Sequence, residues 1–164
     1  MGNVPPTTMN ELDVQATVGS RYPSPFNEPC TKRSNRALAD LFGLKDFGVN
    51  LLILEPGAWS SQRHWHSHED EFVYVLEGTP TLITDEGDAP LRPGSIAGFR
   101  AGVANGHHIV NKGETQAKLI VVGSRRTEDD AFYSDIDMQI LKRADSGEFT
   151  HKDGEPFPKH ERRE

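Results

Sequence analysis

The apolar residues of this chain are concentrated in its middle, in short runs that glycine, proline and acidic turns interrupt. Such runs, rich in Val, Ile, Leu, Phe and Thr, predict β-strands. The predicted strands cover residues 49–54, 62–66, 71–76, 81–84, 95–99, 107–111 and 118–122, with 135–141 as a further candidate. Because no strand pattern alternates with a helical one, an antiparallel sandwich or barrel is favoured over a parallel α/β sheet.

The segment before this strand-rich region has a different pattern. Residues 34–42 predict a short helix, in which Ser34 or Asn35 is the cap and Gly43 follows the last turn. Residues 1–30 contain five of the eleven prolines, which predicts an extended arm. The aromatic residues of that arm indicate that it packs on the rest of the chain.

The C-terminal segment allows two interpretations. Residues 144–164 are polar and charged, which is typical of a mobile terminus. The alternative is a tail that wraps over the barrel or a partner subunit, with Phe149 and Phe157 as anchors. We therefore divide the chain into an N-terminal arm with a short helix (1–46), a β-barrel (47–143) and a polar C-terminal tail (144–164).

Composition and charge exclude several classes of function. The 164 residues suit one ordinary domain, and a net charge of −7 argues against nucleic acid as a partner because phosphate backbones are anionic. Cys30 is the one cysteine, so the chain has no internal disulfide. The N-terminal residues lack the pattern of a secretory signal, and no stretch reaches the roughly 20 apolar residues of a membrane span. We expect a cytoplasmic protein without membrane contact.

The chemistry in the sequence is concentrated where two histidines precede an acidic strand. Residues two apart on a strand point to the same face, so His64 and His66 project side by side. Glu71 opens the strand that returns beside them, so its carboxylate can lie opposite the two imidazoles. This set of ligands suits one divalent transition metal, such as Fe, Mn, Ni, Co or Zn.

Two alternatives remain open from the residues alone. A register that uses His66, His68 and Glu71 would also bring two imidazoles and a carboxylate together. A further ligand can come from the pair His107-His108 on a later strand. Strand neighbours point to opposite faces, so only one member of that pair can face the metal.

The spacing of these residues resembles the first motif of the cupin superfamily. The motif is a glycine, a His-x-His pair, a glutamate and a second glycine. Here Glu71 follows His66 after four residues and Gly78 follows six residues later. The leading Gly57 lies one residue farther from His64 than in the usual pattern.

A second cupin motif follows about ten residues after the first. Gly87 and Pro93 are separated by five residues, and His107 and Asn111 by three, as in that motif. At the position three residues before His107, where the motif has a glycine, this chain has Ala104, and Gly102 lies two residues earlier, which indicates a longer loop. The resemblance covers residues 48–123.

The resemblance implies an all-β fold, the antiparallel jelly roll or double-stranded β-helix, which is often dimeric and holds its metal inside the barrel. It selects His107 rather than His108 as the fourth ligand. The implied metal ligands are His64, His66, Glu71 and His107. The sequence is similar to small single-domain cupins labelled sugar-phosphate isomerase-like, a label that is a name rather than an activity.

Strand periodicity sorts the neighbouring side chains into two groups. The candidates for lining the metal pocket are Gln62, Val73 and Val75. The aromatic residues in the opposite phase are Trp65, Phe72 and Tyr74. An outward aromatic stripe of this kind suggests a subunit interface, so we expect a homodimer.

The resemblance implies a metal-dependent enzyme that acts on a small molecule. A redox metal would support dioxygenation, and a Lewis-acid metal would support isomerisation or lyase chemistry. The alternative is a non-catalytic, metal-dependent module that binds or senses a small molecule. A storage protein is disfavoured, because such cupins usually carry two barrels. The sequence assigns no catalytic residue, and it selects neither the metal nor the substrate.

Overall fold

The computed structural model describes residues 6–143 and 147–158. Short 3-10 helices cover Glu11–Asp13 and Glu28–Cys30, and the α-helix α1 covers Leu38–Leu41. The β-strands are β1 (Thr17–Val18), β2 (Arg33–Ala37), β3 (Phe47–Leu54), β4 (His64–His66), β5 (Glu71–Glu77), β6 (Thr81–Thr84), β7 (Gly87–Pro90), β8 (Ile96–Phe99), β9 (His108–Val110), β10 (Ala117–Ser124), β11 (Glu128–Tyr133), β12 (Gln139–Arg143) and β13 (Phe149–Thr150).

The strands form two layers. One layer is a six-stranded sheet in the order β1-β2-β3-β10-β5-β8. The other consists of a four-stranded sheet, β13-β12-β11-β4, and a three-stranded sheet, β7-β6-β9. A bridge between His64 and His107 joins these two smaller sheets, and a second bridge pairs Trp59 with Val110 of β9. The strand pairings in the described residues are antiparallel, so the predicted all-β jelly roll is confirmed.

The core lies between the layers and has two parts. The larger cluster centres on Leu54, Val75 and Leu119, each of which is fully buried. The smaller cluster centres on Cys30 and Met138 and joins the N-terminal arm to the second layer. The arm therefore covers one end of the barrel, which agrees with the packing expected from its aromatic residues.

The helix predicted for residues 34–42 is wrong in its first half. Residues Arg33–Ala37 form β2, and only Leu38–Leu41 is helical. The pairing explains the difference, because Arg33 lies opposite Leu54 and Ala37 opposite Asn50 along the edge of β3. Hydrogen bonds to β3 outweigh the helical preference of the local sequence.

The described part of the C-terminal tail packs on the barrel rather than extending from it. Phe149 belongs to β13 and contacts the ring of Tyr22, with ring centroids 5.4 Å apart. Phe157 contacts Phe26 edge to face at 5.9 Å. The interpretation as a mobile terminus is therefore wrong for residues 147–158, and both predicted anchors make contacts. Residues 144–146 and 159–164 lie outside the described residues.

Two further findings concern the surface. Phe72 and Tyr74 on β5 are each 40% exposed, as their outward phase predicts. Trp65 stacks on Phe132 of β11, with ring centroids 4.6 Å apart.

Among the described residues, no helix is long and apolar enough to cross a membrane.

Candidate metal centre

The two layers bring the four predicted ligands together. Glu71 lies on β5 of the six-stranded sheet, whereas His64, His66 and His107 belong to the facing layer. Oε2 of Glu71 is 3.9 Å from Nε2 of His64, 3.8 Å from Nε2 of His66 and 2.7 Å from Nε2 of His107. Three imidazole nitrogens therefore surround a single carboxylate oxygen.

Hydrogen bonds fix the orientation of two of the imidazoles. Nδ1 of His64 donates to the carbonyl oxygen of Gln62 at 2.8 Å, and Nδ1 of His66 donates to Oδ2 of Asp129 at 2.6 Å. A carbonyl or carboxylate oxygen can only accept a hydrogen bond, so the proton is on Nδ1 and Nε2 keeps its lone pair. Both Nε2 atoms face Glu71, which is the arrangement that a metal-binding histidine requires.

Asp129 is a residue of the candidate site that the sequence analysis missed. It is 4% exposed and lies on β11, where we predicted no strand. Besides the ring of His66, its carboxylate accepts the backbone N–H groups of His68 and Glu69, at 2.8 and 3.1 Å. Burial alone would raise the pKa of Asp129, but these hydrogen bonds and the charge of His66 lower it below its usual range.

The electrostatics favour the metal-binding form of two candidate ligands, His64 and Glu71, and oppose it for His66. Burial lowers the pKa of His64 to about 4, so its imidazole is neutral near pH 7. Burial opposes ionisation of Glu71, but the hydrogen bond with His107 and the three neighbouring imidazoles outweigh it and lower the pKa of Glu71. For His66, the hydrogen bond to Asp129 and the charges of Glu71 and Asp129 outweigh burial, and its pKa is raised.

The structure separates the other candidates from this cluster. His68 is exposed, and its Nδ1 lies 2.7 Å from the hydroxyl of Ser67. Glu69 accepts a hydrogen bond from Nζ of Lys142 at 2.6 Å. His66, Glu69 and Asp129 form a second group of close ligand atoms, but Asp129 is already used by Nδ1 of His66.

His107 and His108 occupy different environments. The ring of His107 stacks on Phe99, with centroids 3.5 Å apart and an interplanar angle of 2°. Its Nδ1 is buried and has no hydrogen-bond partner. His108 packs edge to face on Trp59, and its Nδ1 donates to the carbonyl oxygen of Ser61 at 3.0 Å. His108, which the resemblance does not select as a ligand, borders the cavity described next.

Two cavities border the cluster. The first has a volume of about 340 Å³, and its walls include His64, Glu71 and His107. The second, of about 490 Å³, is bordered by His66, Glu71 and His107. A small metabolite fits either volume.

The three predicted pocket residues have different positions. Val73 lines the first cavity. Val75 is fully buried in the core, and Gln62 is 6% exposed, with its Nε2 donating to the carbonyl oxygen of Phe26 at 2.7 Å. Both are therefore enclosed by the arm and the core. Neither borders the two cavities at the cluster.

The donor set fits a divalent transition metal. Ligand atoms that share one ion, each about 2.1 Å from it, lie roughly 3–4 Å apart. The distances from Glu71 to His64 and His66 fall in this range, and the ligand atoms of these three residues lie within 4.8 Å of one another. His107 would complete the set. This His/Glu cluster could hold a metal ion.

The fold and this cluster define a jelly-roll protein with a histidine-rich centre, and comparisons identify its family. Residues 50–123 match the Cupin domain family. A crystal structure from Silicibacter pomeroyi, described as a sugar phosphate isomerase from a cupin superfamily, is similar to 92% of this chain over 96% of its own chain. The two sequences are 44% identical, and the TM-score is 0.88. The chain belongs to the cupin superfamily.

Two more distant similarities extend the comparison. A structure from Acidithiobacillus ferrooxidans, named as a candidate sugar phosphate isomerase, is 30% identical over 78% of this chain and 81% of that chain, with a TM-score of 0.70. The polyketide synthase CurC of Streptomyces cyaneus is 28% identical over 109 residues, which are 60% of this chain and 69% of that protein.

Asp129→Asn is expected to weaken metal binding by about 10- to 100-fold, because loss of a carboxylate behind a ligand histidine leaves the ring less firmly oriented and less basic. The measurement is the dissociation constant for Zn²⁺, from competition with a chelator. Asp137→Asn is the matched control, since the exposed Asp137 holds the half-buried His151 in a similar pair at 2.9 Å. Equal affinity in the two variants would remove Asp129 from the metal centre.

Proposed function

We propose that this chain is a metal-dependent enzyme that isomerises a small carbonyl compound in the first cavity. The observation that carries the proposal is the convergence of three imidazoles and one carboxylate at the wall of that cavity. A divalent metal held there would polarise a substrate carbonyl as a Lewis acid. The similarity to a sugar phosphate isomerase, at 44% identity over nearly the whole chain, supports this type of reaction.

Two side chains in the cavity could take part in the reaction directly. Burial raises the pKa of Tyr22 to about 12, so its hydroxyl stays protonated and can donate to a substrate oxygen. Burial also lowers the pKa of His108, whose Nδ1 proton is held by Ser61. Its Nε2 is then a neutral proton acceptor. Isomerisation through an enediol uses such a group, because a proton leaves one carbon and returns to the next.

The test is turnover of the metal-loaded protein with a panel of aldose and ketose phosphates in D₂O. Loading with Zn²⁺, Mn²⁺, Co²⁺, Ni²⁺ and Fe²⁺ separately covers the metals that this donor set accepts. We expect interconversion and incorporation of deuterium at the carbon beside the carbonyl. Turnover that needs both Fe²⁺ and oxygen would instead support a dioxygenase. A protein that binds metal and sugar phosphate without any turnover would be a binding module.

His108→Asn is expected to lower kcat by about 100-fold or more, since a positioned acid–base group contributes about 10²–10⁴. The asparagine amide can still donate to the carbonyl oxygen of Ser61, so the local structure is kept. The zinc affinity should not change, because Nε2 of His108 is not one of the converging nitrogens. An unchanged kcat would exclude His108 as the proton acceptor.

A further inference from the structure

The register of the six-stranded sheet places Arg33 on the face that carries Glu71. Opposed residues of antiparallel strands point to the same side of a sheet. Val75, two positions after Val73 on β5, lies opposite Leu119 of β10. Leu119 lies opposite Leu52 of β3, and Leu52 in turn lies opposite Asn35 of β2. Arg33 is two residues from Asn35, so it shares this inward face, and both side chains line the first cavity.

Arg33 brings a permanent positive charge to this cavity without a carboxylate to balance it. Its Nη1 contacts the carbonyl oxygen of Ser60, and its Nε is buried with no hydrogen-bond partner. Among the described residues, Arg33 forms no ion pair. Glu71 is the one carboxylate among the described lining residues, and the imidazoles already surround it. A partly buried guanidinium that lacks an anion is costly.

Three other arginines do not bring an unpaired positive charge to the first cavity. Arg63 pairs with Asp85 and Asp135, and Arg125 pairs with Asp40. Arg100 borders the second cavity and not the first. Arg33 is therefore the cation at the wall of the first cavity that no described carboxylate neutralises; it also borders a third cavity beside the N-terminal arm.

The cavity separates polar groups at its two sides. Beside Arg33 lie Asn35 and Asn50, whose amides are joined by a hydrogen bond of 3.0 Å. Three strand spacings separate β2 from β5, and the pairing also offsets Arg33 from Glu71 by six positions along the strands, since Arg33 lies in the row of Leu54 and Glu71 in the row of Gly48. Apolar residues such as Leu52 and Val121 line the wall between these groups.

We infer that Arg33 is an anion subsite of the metal cavity, and that the substrate is a small molecule whose carboxylate or phosphate group binds Arg33 while its other end reaches the metal centre. This rests on the proposed function only in taking the first cavity as the substrate site. A guanidinium binds either oxyanion through parallel N–H donors, and the unpartnered Nε of Arg33 is one such donor.

The experiment titrates the zinc-loaded protein with inorganic phosphate and, separately, with acetate, using calorimetry. The Hε–Nε NMR signal of Arg33, assigned by its absence in Arg33→Lys, provides a second readout on the unaltered chain. We expect the signal to shift with at least one of the anions. We also expect Arg33→Gln to weaken its binding by about 10- to 100-fold, since a hydrogen bond to a charged group is worth about 1.5–3 kcal/mol. Arg100→Gln, in the second cavity, is the matched control and should bind within about twofold of the unaltered protein.

The outcomes separate the substrate classes and the possible failures. Binding of phosphate alone identifies a phosphate ester, and binding of acetate alone identifies a carboxylate. If neither anion binds, if binding persists in Arg33→Gln, or if Arg100→Gln loses it instead, the subsite at Arg33 is refuted. Zinc content measured on each variant tests the metal centre independently, because Arg33 is not one of its ligands. If Arg33→Gln does not fold, the anion affinity of Arg33→Lys and the shift of the Arg33 Hε–Nε signal in the unaltered protein test the subsite instead.

Discussion

His66→Ala is expected to lower the affinity for a divalent metal by more than about 100-fold, since even the loss of a group behind a ligand costs about 10- to 100-fold. His66 supplies one of three converging nitrogens, and its Nε2 lies 3.8 Å from Oε2 of Glu71. Its Nδ1 is bonded to Asp129, which orients the ring with Nε2 toward Glu71. The measurement is the zinc dissociation constant from chelator competition, together with the metal content after dialysis.

His68→Ala is the matched control for this variant. His68 lies two residues away, is exposed, and contacts the hydroxyl of Ser67. It also tests the register in which His66, His68 and Glu71 would bind the metal. We expect His68→Ala to keep the affinity of the unaltered protein. A loss of metal from His68→Ala, or full retention by His66→Ala, would contradict the ligand set. Removal of His66 also leaves Asp129 buried without its partner, so His66→Gln, which keeps a donor to Asp129, guards against unfolding.

Gly78→Ala is expected to destabilise the protein by about 3 kcal/mol or more. Gly78 has a φ of +81°, where an L side chain costs about 1–2 kcal/mol. A Cβ at this position would also lie 2.7 Å from the carbonyl oxygen of Gln116 and 2.8 Å from Cα of Ala117. These are backbone atoms of the same chain where β10 begins, and they cannot move without disturbing that strand. Overpacking of this kind adds about 1–3 kcal/mol. Urea unfolding measures the change.

Gly57→Ala separates the two causes of that effect. Gly57 has nearly the same φ, +82°, but a Cβ there would meet nothing within 4 Å. We expect this variant to lose only the conformational part, about 1–2 kcal/mol. If both substitutions cost the same, close approach to the backbone of Ala117 would not explain the glycine at position 78. The comparison separates the physical reasons for a glycine at these two positions of the first cupin motif, namely the positive φ and the close backbone contact.

Much of the strand order could be predicted because the central strands have strong local patterns. The apolar run of β3 and the alternation along β5 were read directly, and the period of two placed His64 and His66 on one side. The short helix was placed too early because residues 34–37 resemble a capped helix, and only pairing with β3 makes them a strand. Local propensity does not contain that information.

The parts of the site that the sequence did not predict depend on contacts between distant residues. Asp129 meets His66 across 63 positions, and its strand begins with the acidic run Glu-Asp-Asp, which is not typical of a strand. Arg33 was overlooked for the same reason as β2, since a residue that directly precedes a predicted helix has no predicted face in the barrel. His107 was chosen over its neighbour by the resemblance to the cupin motif rather than by any local signal.

Elemental analysis tests the central claim most directly, that the cluster around Glu71 is a metal site. The protein should be purified without a histidine tag, a metal column or a chelator, and then reconstituted with each divalent metal in turn. We expect about one transition-metal ion per chain, and a melting temperature that rises with metal and falls with chelator, because the metal binds the folded state preferentially. Absence of metal from both the purified and the reconstituted protein would contradict the account, and the four converging side chains would then be a hydrogen-bonded cluster without a metal.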